Sequence, residues 1–442
     1  MPNDPRQSEV VKIYSQQITP RLVFACELIF TRGFHVDYEI HDEVSAVRSH
    51  EGVVINYSKD PSVAGFQITP SGFINQRGIS EFEPEMTTWD DLPALFPTQG
   101  EIPFDVFSAV FFLASRYEEY LPYKGDQHGR FQAEESFAHK NGFLDRPLID
   151  EWVLKLKDIL NTGFQSSLKL APYSFTTTID VDSAYAYRYK GLMRTLGGFA
   201  KDVVATDSQN LKDRFNTIFL RKHDPFDTYD ELHAIHQKYK VDVIYFFLLA
   251  DYGLNDKGVS YKSRHLQQLV RRLGDYYTIG IHPGYQSNRE THRFETELGR
   301  LATISRRDIE HSRQHFLMLK FPETYRRLLS NRIKEDHTMG YASLPGFRAS
   351  TSRSFPFYDL EHESITALEL HPFAVMDATL NMYQERTPED ASKVITTLAQ
   401  KVKAVSGQFR ILWHNESLSE KWGWEGWKGV YETAVAAGAQ SF

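Results

Sequence analysis

Thr176-Thr177-Thr178-Ile179-Asp180-Val181-Asp182-Ser183, entered from Ala171-Pro172-Tyr173-Ser174-Phe175, is the stretch whose reading decides the fold. Three threonines and a β-branched isoleucine favour extended backbone. In a strand, side chains two positions apart share a face, so Asp180 and Asp182 point the same way. Like charges held side by side repel, and a cation between them or a shared proton is the usual reason a fold keeps such a pair. A metal or catalytic site is one reading. An Asx-type turn at a strand end, with both carboxylates solvated, is the other.

Beyond this stretch, short runs of β-formers at 241–248, 277–282, 368–370 and 409–414 alternate with amphipathic segments such as 229–239 and 262–273. That alternation predicts parallel strands with crossover helices, closed as a barrel or left as an open sheet. Two of the runs end directly in histidine, His282 before Pro283-Gly284 and His414 before Asn415-Glu416. Reactive groups of α/β barrels sit at the C-terminal ends of strands, so Asp180, Asp182, His282 and His414 are expected to converge. Taken singly, each histidine also reads as a structural residue. His311 and His315 are spaced i, i+4 and would share a helix face, as a chelating pair or as a solvated edge near Arg306, Arg307 and Arg313. Gly346-Phe347-Arg348 offers an arginine on a turn, suited to a bidentate grip on a carboxylate or to the surface. Asp377 ends the apolar run 373–376, where a buried acid would want a partner such as an imidazole.

Upstream, Thr19-Pro20 followed by apolar residues to Phe30 and by Gly33 predicts a buried helix. Residues 53–57 and 66–68 read as short strands, and a helix is expected from Phe104 towards Arg116-Tyr117-Glu118-Glu119-Tyr120. Glu118 and Glu119, being adjacent, face different ways. The loop Gly125-Asp126-Gln127-His128-Gly129-Arg130-Phe131 offers His128 and Asp126 as ligand groups or as ordinary loop polarity. A helix over 148–160 leads to a domain boundary near residues 160–170.

Composition narrows the class. The 442 residues are 41% hydrophobic, 24% charged and 14% aromatic, enough for a sizeable core and for two or three domains. A net charge of −8, with no basic run longer than a pair, argues against nucleic acid. Cys26 is the sole cysteine, which excludes an internal disulfide framework and a Cys-ligated cluster. Met1 to Ser8 lacks the order of a signal peptide and no apolar run is long enough to span a membrane, so a cytoplasmic location is expected. Oligomeric state is not legible.

In order along residues 170–430, the motifs resemble those of the polysaccharide deacetylase family, the NodB-homology or carbohydrate esterase family 4 group. Thr178-Ile179-Asp180-Val181-Asp182 is similar to its first motif, Ile279-Gly280-Ile281-His282-Pro283 to its second, Gly346-Phe347-Arg348 to its third, and Leu412-Trp413-His414 to its fifth; Asp377 falls at the fourth. The part before residue 165 resembles the amino-terminal domain of a Bacteroidetes-type branch. The resemblance implies a deformed (β/α) barrel over 166–442 preceded by an α+β domain over 1–165. It implies a metal-dependent hydrolase that removes N-acetyl or O-acetyl groups from a saccharide through a metal-activated water. The expected divalent ion is zinc, with nickel or cobalt possible, held by Asp182, His282 and a third donor. The family pattern H-[S/T]-x-x-H would put that donor at residue 286, but Gln286 stands there. His315 is the expected replacement, on the premise that the apolar run after it is the next strand, with His311 behind it. Asp180 is expected as base, His414 as acid with Asp377 supporting it, and Arg348 as the group that orients Asp180. Alternatives are an amidohydrolase for a small non-sugar amide and an inactive glycan-binding barrel. Trp422, Trp424, Trp427 and Tyr431 are expected either to seal a core or to offer a sugar platform.

Overall fold

A computed structural model describes residues 7–439; residues 1–6 and 440–442, and with them most of the polar start Met1 to Ser8, lie outside the described residues. Strands β1 (Gln7–Ser15), β2 (Val36–His41), β3 (Val54–Tyr57) and β4 (Phe66–Gln67) form a parallel sheet in the order β2-β1-β3-β4. The helix expected after Thr19-Pro20 runs over Pro20–Cys26, with the Thr19 side chain accepting from Leu22 N. A small hairpin follows, β5 (Met86–Trp89) with β6 (Leu92–Leu95). The helix Val106–Ala114 is buried at every residue, as a helix apolar on all sides must be. Its first turn is capped by the Asp105 carboxylate, which accepts from Ser108 N. The helix Leu148–Phe164 then leads into the second half.

That half is organised by a nine-stranded sheet, so the protein is of mixed α/β type. Its strands are β7 (Ser174–Val181), β8 (Asp242–Leu248), β9 (Thr278–His282), β10 (His311–Ser312), β11 (Glu335–Asp336), β12 (Phe355–Asp359), β13 (Ser364–Leu370), β14 (Val375–Met376) and β15 (Gln408–His414). The order is β12-β13-β11-β10-β9-β8-β7-β15-β14, parallel throughout except at the β12 edge. The threonine-rich stretch is therefore a central strand. Phe175 stacks on Phe409 and Thr177 meets the Tyr431 hydroxyl, whereas Thr178, on the opposite face, receives a hydrogen bond from Arg313. The sheet curls: Phe373 N donates to Met339 O and Ala374 N to Arg410 O, which links the β11 side to β15 across the ends of the strand order. Among the described residues no helix is long and apolar enough to cross a membrane.

One apolar core runs through both halves. Phe24 of the first helix lies edge-on to Tyr358 of β12 at 5.3 Å. Polar clasps accompany it: Arg32 grips the Glu369 carboxylate at 2.7 and 3.2 Å. Arg348 belongs to this set, which corrects the expectation that it orients Asp180. Its Nε donates to Glu119 Oε1 at 2.9 Å, its Nη2 to Glu119 Oε2 and its Nη1 to Gly340 O. Arg116 Nε holds the same Oε1 at 2.8 Å. Gly346 makes the approach possible, because at φ +140 a Cβ there would stand 2.5 Å from Leu144 O. Glu118 takes hydrogen bonds from Arg116 and Phe137 N. Glu119 thus serves the seam between the halves, whereas Glu118 ties groups within the first half.

Removing one member of a buried ion pair strands the other, at a cost of about 3–5 kcal/mol. Glu119→Gln and Arg348→Met are each expected to lower stability by about that much in urea denaturation, with the double variant losing less than the sum. Strict additivity would show that the two groups do not act as a pair.

Candidate metal centre

Strand alternation and the curl of the sheet bring the predicted groups to one rim. His282 ends β9, Asp182 lies one residue beyond β7, and His315 stands three residues past β10. One donor atom from each of the three lies within 4.8 Å of the others. His282 Nε2 is 3.2 Å from Asp182 Oδ1, and His315 Nε2 is 3.4 Å from Asp182 Oδ2. Asp180, pointing the same way, has Oδ2 3.7 Å from His282 Nε2.

Tautomers follow from the other side of each ring. His282 Nδ1 lies 2.6 Å from Arg313 O, which can only accept, so Nδ1 carries the proton. His315 Nδ1 likewise donates to Asp256 Oδ1 at 2.9 Å. Both Nε2 lone pairs are then left facing an acceptor-only carboxylate. Asp180 Oδ1 and Asp182 Oδ1 are also buried without a hydrogen-bond donor among the described residues. Lone pairs aimed at one another are unfavourable until a cation enters, as extra protons or as one metal ion. The protons' pull is visible at His315: burial alone would lower it, but Asp182 and Asp256 push it up to about 9. Asp182 responds in the opposite sense; burial would raise it, yet His315 and His282 hold it well below the usual range. A carboxylate and two imidazoles, each imidazole fixed through its second nitrogen, fit a zinc-class ion.

Asp180 is flanked by Arg313, with Nη1 3.9 Å from Oδ2. That guanidinium lies between the Phe246 and Phe373 rings, 5.1 Å from each centroid, and donates to Thr178 Oγ1 at 2.7 Å. Arg313 thus stands where Arg348 was expected. On the other flank, β15 pairs with β7 in a register that sets His414 beside Asp180. His414 Nε2 is 3.9 Å from Asp182 Oδ2, and Nδ1 meets Asp377 Oδ1 at 2.8 Å. Asp377 follows β14, is fully buried, and also takes His414 N and the Ser417 hydroxyl. Burial would lower the His414 pKa, but the Asp377 charge and hydrogen bond raise it well above the ordinary imidazole value. Glu416 is pushed up to about 7 by burial and by the Asp182 charge.

A cavity of about 220 Å³ opens on these groups. Arg130, Phe316, Tyr383, Glu416 and Trp424 are in its wall. Arg130 comes from the polar loop of the first half, held by Asp126 at 2.7 Å and donating to Phe316 O. His128 of that loop meets the Tyr285 hydroxyl at 3.2 Å. Trp424 reaches the cavity, Trp427 and Tyr431 are sealed in the core, and Trp422 is exposed.

The reading of His311 and His315 as one helix face is corrected. His311 lies in β10 and His315 opens a turn in which Phe316 has φ 58, so the two rings enter different clusters. The run after His315 is that turn; the strand comes before it. Gln286 is exposed in the turn Tyr285–Asn288. Sequence reasoning missed Asp256 and the role of Arg313, since neither carries a local signal.

Residues 11–165 match the model of a family described as of unknown function (DUF7033). No curated protein matches the chain. Among solved structures, a "putative polysaccharide deacetylase from Mycobacterium smegmatis" is 11% identical with TM-score 0.37, over 61% of this chain and 89% of that one. The polysaccharide deacetylase Bc1974 from Bacillus cereus is 10% identical with TM-score 0.30, over 60% and 86%. A BA3943 mutant, a CE4 family pseudoenzyme with restored enzymatic activity, is 11% identical with TM-score 0.26, over 59% and 61%.

Equilibrium dialysis against zinc tests the donor set. Asp182→Asn and His282→Ala are expected to abolish binding at this site, and Asp256→Asn to weaken it by about 10–100-fold through loss of the His315 support. Unchanged affinity in Asp256→Asn would remove that carboxylate from the site.

Proposed function

We propose that the protein is a metal-dependent hydrolase that removes N-acetyl or O-acetyl groups from a saccharide. The observation that carries this reading is the convergence of Asp182, His282 and His315, with Asp180 on one side and the Asp377-buttressed His414 on the other. The order of sequence motifs points the same way. We read the curled sheet of 166–442 as a deformed (β/α) barrel, and residues 1–165 as a separate α+β domain that buttresses it and lends Arg130 to the cavity.

A divalent ion in the triad, zinc or else nickel or cobalt, would polarise the carbonyl and lower the pKa of water from about 15.7 towards about 7. Asp180 takes the proton as water adds to the acyl carbon. Arg313 and the Thr178 hydroxyl it binds fix the ground on which Asp180 sits. His414, protonated because Asp377 lies against Nδ1, presents Nε2–H to the departing nitrogen or oxygen. Proton delivery there yields acetate and the free amine or alcohol, an effect worth roughly 10² to 10⁴ in rate.

Cavity shape favours a saccharide over a small amide. A neighbouring cleft of about 500 Å³ shares Arg130, Leu317, Ala342 and Tyr383 with the reactive cavity, so an extended substrate has room beyond the acyl group. Lys124, Gln127, Gln132, Glu134 and Ser343 give that cleft polar walls suited to hydroxyls.

Acetate release from N-acetylated and O-acetylated oligosaccharides, with zinc supplied, tests the reading. Asp180→Asn and His414→Asn are each expected to cost roughly 10²–10⁴ in kcat while zinc stays bound. No acetate from any such substrate, with the triad loaded, would favour a glycan-binding role without catalysis.

The pH profile has a defined sign. A general acid with a raised pKa is competent below that value and fails as pH rises through it. Asp377→Asn removes the charge that raises His414, so the alkaline limb of kcat is expected to move to lower pH. An unmoved limb in a folded variant would detach His414 from the proton transfer.

A further inference from the structure

His311, left over from the first cluster, belongs to another. In the β10–β11 ladder it stands beside Glu335, and Glu335 in turn stands beside Glu369 of β13. Two residues further along the same faces are His337 and His371. Their rings stack at 4.4 Å with an interplanar angle of 9°. His311 Nδ1 is 3.3 Å from His337 Nε2 and 3.3 Å from Glu335 Oε2. His371 Nε2 stands 3.0 Å from Glu335 Oε2 without a well-aligned hydrogen bond, and its Nδ1 meets the Ser354 hydroxyl. His337 is buried, and its Nδ1 has no partner among the described residues. Phe246 packs on His337 and also on the Arg313 guanidinium that flanks Asp180.

These spacings are those of a coordination sphere. With metal–nitrogen bonds of about 2.0–2.1 Å, a tetrahedral site has donor atoms about 3.3 Å apart. Two imidazole nitrogens at that distance hold at most one proton between them, and two stacked rings repel if both are charged. The nearby cations have other commitments: Arg410 donates to Ser354 Oγ, Gln408 Oε1 and Ser352 O, and Arg313 turns to Thr178 and Asp180. Glu369 is engaged by Arg32. Glu335 thus brings the one carboxylate among the donors, and its side chain is 38% exposed, which leaves the cluster open to solvent. A donor set of imidazoles with a single carboxylate selects borderline first-row ions over magnesium or calcium.

We propose that His311, Glu335 and His337, whose donor atoms lie within 4.8 Å of one another, form a second site for a zinc-class divalent ion. Its work is structural. Strands β10 and β11 are two residues long each, too short for their ladder to hold them firmly, and an ion bridging the two fixes that side of the sheet.

The test uses the full chain, stripped by chelation and titrated with zinc or cobalt alone. Metal analysis gives stoichiometry, cobalt absorption reports coordination, and thermal unfolding reports stabilisation. The wild type is expected to bind two ions per chain. Glu335→Gln and His311→Ala, both at solvent-accessible positions, are each expected to lose one ion and part of the metal-induced rise in Tm. Asp182→Asn is expected to keep the ion that Glu335→Gln removes, a result that supports this site whether or not the catalytic reading holds. Undiminished stoichiometry in folded Glu335→Gln and His311→Ala overturns the proposal.

Discussion

Two carboxylates, Asp180 near the end of β7 and Asp182 just past it, project into a largely buried space where two imidazole lone pairs also point. Like charges on one face away from bulk water repel one another. The surroundings read as an answer to that repulsion. Arg313 faces Asp180 from between two aromatic rings, and Arg313 O and Asp256 turn His282 and His315 so that each offers Nε2. His414 carries a proton secured by Asp377. Each group sits at or just past the end of a parallel strand or in the loop after one, and the curl of the sheet closes the distance between them.

The first half of the chain is bound into this arrangement. Glu119 lies between Arg116 and Arg348, so the loop that carries Arg348 is pinned by a residue 229 positions earlier. Arg130 from the same half enters the cavity wall. The shape of the space around the reactive groups therefore depends on both halves, and the proposed substrate cleft is lined from both sides of the seam.

Much of the centre was legible because strand geometry is local. Period-two alternation put Asp180 and Asp182 on one face, and a histidine directly after a run of β-formers marked His282 and His414. Asp377 was found as an acid closing an apolar run. What escaped was decided at long range. Arg348 and Arg313 are both single arginines in loops, and only the packing of Glu119 against one and Asp180 against the other separates them. Asp256 lies 59 residues from His315 in a loop without regular structure. The i, i+4 spacing of His311 and His315 suits a helix, but two strand residues followed by a turn with positive φ satisfy it equally and send the rings apart.

Anomalous scattering from crystals grown with zinc or cobalt bears most directly on the central claim. A peak is expected about 2.0–2.2 Å from an Asp182 carboxylate oxygen and from Nε2 of His282 and His315, with Asp180 beside it as free base. Saturating metal with no peak at that point, or an ion bound there without Asp182, would contradict it.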